Sequence, residues 1–160
     1  MSENNAGSAA ESTGTAQAQF GIQRIYVKDV SFESPNAPAI FAGAWEPQAD
    51  INVSTNAQSL GNDLYEVVLG VTATVKVRDQ VAFLVEVTEA GVFQITGVPG
   101  EQMGPLLGSF CPNVLFPYAR EVVSDLVTKG GFPQLLLNPV NFDLLYQQQV
   151  AQQNAGGAGA

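Results

Sequence analysis

A chain of 160 residues and 16.8 kDa has room for one ordinary domain, and 46% apolar residues against 13% charged ones suffice for a real core. Six Lys and Arg stand against 15 Asp and Glu, and a net charge of −9 repels phosphate backbones, so no nucleic-acid partner is expected. The absence of histidine excludes Ser-His-Asp and Cys-His nucleophiles and His-ligated metal sites, and a single cysteine, Cys111, excludes an internal disulfide.

Residues 1–18 are small and polar with no large apolar side chain, and are expected to be disordered. They carry acids and lack the basic and apolar parts of a signal peptide. No apolar stretch is long enough to span a bilayer, which together with the lone cysteine predicts a cytoplasmic protein with no direct membrane insertion. From Phe20 to Glu33 the pattern alternates, with Phe20, Ile22, Tyr26, Val30 and Phe32 on one parity. Asp29 and Glu33 share the other, together with Ile25 and Val27. Ser34 to Pro47 contains three prolines and must be a connection, unusual in holding Phe41 and Trp45. Trp45–Thr55 is a weaker strand candidate through Ala49, Ile51 and Val53.

Asp63–Arg78 alternates most clearly, with Val67, Leu69, Val71, Ala73, Val75 and Val77 on one face. A turn at Asp79-Gln80 leads into a second strand, with Val81, Phe83, Val85 and Val87 on the apolar face and Leu84, Glu86 and Thr88 outside. Gly97, Gly100 and Gly104 match no phosphate-loop spacing, and no suitable lysine is near. Cys111 in an apolar setting reads as a small buried hydrophobe. Pro117–Lys129 predicts a helix with the stripe Leu115, Ala119, Val122, Val123, Leu126 and Val127, stopped by Gly130-Gly131. Asn138 and Pro139 can start a second helix through Phe142, Leu145 and Tyr146. Residues 152–160 are expected to be a second disordered tail, leaving 19–151 as the domain. Four strands followed by two helices make an α+β fold with an antiparallel sheet. No metal or cofactor motif is present in the sequence.

CPNVLFPYAREVVSDLV and GGFPQLLLNPVNFDLLY resemble the bacterial protein-export chaperone SecB family. The resemblance extends to FGIQRIYVKDVSFESPNAP and AFLVEVTEAGVFQITG, covering roughly residues 19 to 150 in the same order. It implies a homotetramer built as a dimer of dimers, which holds unfolded precursor proteins without ATP and delivers them to the motor ATPase SecA. It also implies that the long helix packs between sheets, so that Val122 and Leu126 meet inward strand residues such as Val85 and Val87. Asp29, Glu33, Leu84 and Glu86 would then form the acidic SecA-docking face. Phe41 and Trp45 would face Leu135 and Leu137 across a client-binding groove. Two departures from the family pattern are Val85, where several relatives carry cysteine, and a C-terminal tail without acidic groups.

Each assignment has a plainer alternative. An acidic strand face also solubilises a sheet, and a lone tryptophan also plugs a sheet edge. Two other functions compete with the chaperone. A single-partner docking module would use the same acidic face, and a glycosidase-like enzyme would need two carboxylates in a pocket the pattern does not supply.

Overall fold

Residues 17–156 are described by a computed structural model. Four long strands, β1 (Gln19–Glu33), β2 (Gln48–Gly61), β3 (Leu64–Val77) and β4 (Gln80–Thr96), form one antiparallel sheet in the order β1-β4-β3-β2. The central pair β3 and β4 is the one whose alternation was clearest. β1 and β2 are the edges.

Both tight hairpins turn through two residues of positive φ, Asn62-Asp63 and Arg78-Asp79, the geometry that matches strand twist. The β3–β4 turn is therefore one residue earlier than Asp79-Gln80. β2 also runs to Gly61, six residues past Thr55, because its core-facing positions fade from Ile51 and Val53 to Ala57 and Ser59 and lose the apolar signal.

Bulges explain the mixed parity of β1. Its register with β4 skips one residue between Ile22 and Arg24 and another between Val27 and Asp29. Each extra residue reverses the phase, so Phe20, Ile22, Ile25, Val27, Val30 and Phe32 all share the face of β4 that carries Val85, Val87 and Phe93. Tyr26, grouped with Phe20 by simple alternation, is turned to the opposite face. A third skip, at Ala82, pairs Val81 with Lys76 and removes Val81 from the core face. The freed carbonyls at this bulge accept hydrogen bonds from Ser34 Oγ (to Ala82) and Asn36 Nδ2 (to Val81), which anchor the long connection after β1.

Beyond the sheet, the chain is helical almost without a break from α1 (Gly100–Pro105) through a π-helical stretch (Leu106–Phe110) into α2 (Cys111–Lys129). Pro117 lies inside α2, not at its start, and Pro112 occupies the first-turn position. Cys111, Leu115, Ala119, Val123 and Val127 are fully buried at four-residue spacing, one ridge laid across β4 and β3. Val122 and Leu126 flank it, half-buried, against the core that contains Val85 and Val87.

α3 (Phe142–Gly156) begins three residues later than Pro139 suggests, because Asn141 caps it: Asn141 Oδ1 accepts from the Leu144 N–H at 3.1 Å. It continues to Gly156, into the stretch expected to be disordered, while residues 1–16 and 157–160 lie outside the described residues. Tyr146 of α3 lies over Gly104 and Gly108, where a Cβ would meet its ring, so Gly104 makes room for helix packing. No helix among the described residues is long and apolar enough to cross a membrane.

Candidate functional site

The outer face of the sheet, away from α2, is acidic at one end. Register places Asp29 beside Thr88, Ser31 beside Glu86, and Glu33 beside Leu84. Thr72 and Thr74 of β3 continue these rows, ending on Asn52 and Asp50 of β2. Asp29, Glu33, Leu84 and Glu86 thus form one contiguous patch with no basic side chain in its rows, as the parity argument expects. Asp50 extends it across the sheet and escaped the sequence reading; its parity opposite Thr74 is the signal that would have found it.

Farther along this face the charge is neutralised. Glu66 is buried and bonded by the Tyr26 hydroxyl, by Lys28 Nζ at 3.0 Å and by Gln58. The Tyr26 hydrogen bond, then that of Lys28, holds the Glu66 carboxyl below its ordinary range despite burial. Burial, reinforced by Glu66, pushes the Tyr26 phenol up to about 12. This cluster ties β1 to β3 across the small Ala90 of β4 and marks the boundary of the acidic patch.

A separate apolar corner forms where the two long connections meet. Phe132, buried, is its hub, with ring centroids at 5.0 Å from Phe41, 5.8 Å from Trp45 and 5.0 Å from Phe83. Trp45 remains 36% exposed and Phe41 50% exposed, so each presents a ring to solvent from a buried support. The Arg78 guanidinium at the β3–β4 turn holds this loop by donating to the Ala42 carbonyl at 2.8 Å and the Ala44 carbonyl at 3.0 Å.

Trp45 and Leu135 are brought together, lining a small cavity of about 100 Å³ with Phe83 and Val75. Leu135 also lines a larger neighbour of about 550 Å³, with Leu137 and the β2 residues Ile51 and Val53. Leu137 is buried in its wall, whereas Leu136, 66% exposed, offers the open apolar side chain. Phe41 packs on the other side of Phe132 and lines neither cavity. The structure therefore joins three of the four groove residues through Leu135 and sets Phe41 apart. Phe132 and Leu136, in the same segment as Leu135 and Leu137 but not singled out with them, were the residues missed.

Cys111 offers no nucleophile: it is fully buried, and burial pushes its thiol up to about 12. Taken together, the arrangement is an acidic, polar sheet face and an apolar, partly open corner at the sheet edge.

Known proteins agree with this architecture. The family described as preprotein translocase subunit SecB matches residues 13–153. The chain is 57% identical over 148 residues to the protein-export protein SecB of Methylococcus capsulatus, covering 91% of this chain and 96% of that one. It is 58% identical over 144 residues to that of Nitrosococcus oceani, covering 89% and 88%. Among solved structures, a SecB-like chaperone of Mycobacterium tuberculosis, in complex with a ChAD peptide from the HigA1 antitoxin, shares the fold. Its TM-score is 0.63 at 19% identity, covering 79% of this chain and 92% of that one. Long matches in series over nearly the whole sheet and both long helices place the chain in one family: it belongs to the SecB family of protein-export proteins.

Proposed function

We propose that this chain is a cytoplasmic, ATP-independent holdase that binds unfolded precursor proteins, keeps them competent for export and hands them to the SecA motor. Beside its family membership, the observation that carries this reading is the apolar corner of Trp45, Leu135 and Leu136, held open at edge strand β2. Exposed aromatic and leucine walls on a proline-rich loop accept many apolar segments and suit a binder without a sequence code. A protein that binds only the unfolded chain opposes folding by mass action, and no hydrolysis is needed when capture outruns folding.

Self-association is part of the same reading. β1 is an unpaired edge of 15 residues whose core-side Ile22, Val27 and Val30 remain 43–48% exposed. Such an edge is stabilised by pairing with another copy, and a tetramer arranged as a dimer of dimers would gather several grooves for one long client. The patch of Asp29, Glu33, Leu84 and Glu86 is then the SecA-docking surface, apolar at Leu84 and acidic around it, matched to a basic partner.

The test is refolding of a slow-folding, denatured precursor after dilution, with no nucleotide. Arrest at near-stoichiometric chaperone with the client soluble is expected, and Trp45→Ala should weaken that arrest while leaving the oligomer intact. Unchanged refolding across several slow clients would refute the holdase.

A further inference from the structure

One buried charge is left over by both surfaces. Glu89 lies on the core face of β4, opposite Val27 of β1 and Leu69 of β3, where its neighbours along the strand, Val87 and Phe93, are apolar. It is 3% exposed, and its Oε2 has no hydrogen-bond partner. Above it, Pro117, Tyr118, Glu121 and Val122 of α2 and Ile25 and Val27 of β1 bound a cleft of about 390 Å³. A buried, unpartnered carboxylate aimed into a largely apolar cleft needs a cation, a donor or a proton.

The protein's own cations are committed elsewhere. Of the six Lys and Arg, Lys28 pairs with Glu66 on the opposite sheet face, and Lys129 pairs with Asp125. Arg78 holds the Trp45 loop, and Arg120 lies over the Phe116 ring. Arg24 and Lys76 occupy outer-face register positions. The titratable groups that face Glu89 are Glu121 and the Tyr118 phenol from α2; Tyr26 of β1 borders the cleft, but its side chain lies on the outer face with its hydroxyl spent on Glu66. β3 contributes only Leu69. Burial first, and then the Glu121 charge, raises the Glu89 carboxyl above its ordinary range. In a chain of net charge −9, a proton is the partner at hand.

The cleft opens beside Val27, on the exposed apolar face of β1 that a second copy would cover. We propose that Glu89, with Glu121 at its rim, makes self-association of this chain proton-linked: a second copy laid on β1 closes the cleft over Glu89 in its neutral, protonated form. This rests on the self-association reading above. Closing the cleft removes remaining water and raises the affinity of Glu89 for its proton further. The assembly is then strongest at low pH and weakens as pH rises through the value for proton loss in the closed cleft.

The experiment is sedimentation equilibrium of the full chain between about pH 5.5 and 8 at constant ionic strength, with Glu89→Gln and Glu101→Gln beside it. The native association constant should fall with rising pH, by up to about tenfold per pH unit for each proton taken up. Glu89→Gln, which mimics the protonated group, should associate at least as tightly with a flat profile. Glu101→Gln, which removes one negative charge from an exposed position of α1 outside both surfaces, should follow the native curve. Glu121→Gln should shift the native midpoint to lower pH. The same slope in Glu89→Gln as in the native chain, or an unmoved midpoint in Glu121→Gln, would overturn the proposal while leaving self-association standing. Tightening with rising pH would overturn it in favour of a cation from the second copy. Single copies at every pH and concentration would remove both readings.

Discussion

Replacing Arg78 with alanine separates the order of the binding corner from the integrity of the core. The side chain is exposed at a hairpin turn, and its two donated bonds, at 2.8 and 3.0 Å, are the links holding the Ala42–Ala44 backbone to the sheet end. A bond from a charged donor contributes about 1.5–3 kcal/mol when shielded, and solvent exposure brings the pair together to about 1.4 kcal/mol, or tenfold in loop ordering. A loop ordered about 10:1 falls to about 1:1, and one ordered about 1:1 falls to about 1:10, so affinity for an unfolded client should drop about two- to fivefold. Trp45 is the only tryptophan, and its fluorescence reports the loop directly. Arg78→Ala should red-shift its emission and increase acrylamide quenching, with the urea midpoint lowered only slightly. Client affinity is then read by competition in the refolding assay. A loosened Trp45 with unchanged affinity would refute the assignment of this corner to client binding, and an unchanged Trp45 would refute the role of the guanidinium.

Reversing Asp29 and Glu86 to lysine should weaken binding to SecA, most at low salt, and leave client holding intact. Unchanged SecA affinity at low salt, measured by calorimetry, would move the docking face elsewhere. Glu66 is held ionised below the usual carboxylate range, so its contribution to stability is complete above its unfolded value of about 4.3 and is lost as pH falls through the lower folded value. Glu66→Gln should therefore lower urea stability at neutral pH and flatten its acid limb, and an acid limb identical to native would contradict that. Leu115 is fully buried in the α2 ridge beneath Gly91, and Leu115→Ala should cost about 2–5 kcal/mol in denaturant unfolding. A loss under about 1 kcal/mol would mean that the ridge is not the packed core described.

Much of this protein was legible in order along the chain because period-two and four-residue spacings are local properties. β3 and β4 have one face buried along their length, so Val67 to Val77 and Phe83 to Val87 declared that face without reference to anything distant. Asp29 and Glu33 follow the second bulge of β1 within one uninterrupted register, which is why their shared outer face with Leu84 and Glu86 was readable. The ridge of α2 was visible for the same reason, although a proline at its middle suggested too late a start.

Tertiary pairing decided the rest. Two bulges cancel along β1, leaving Phe20 and Phe32 in phase while turning Ile25 in and Tyr26 out, and only alignment against β4 reveals where the extra residues fall. Phe132 became the hub of the apolar corner through Phe41, Trp45 and Phe83, each 49 or more residues away in the chain, a distance no local period spans. Glu89 is one glutamate among acids in sequence, and an unpartnered buried carboxylate once α2 closes over it. Sequence alone determined which segments alternate, and hence the fold class and the acidic face. Which side chains meet, and which charge is stranded, depended on long-range register, because burial is a property of what packs above a residue.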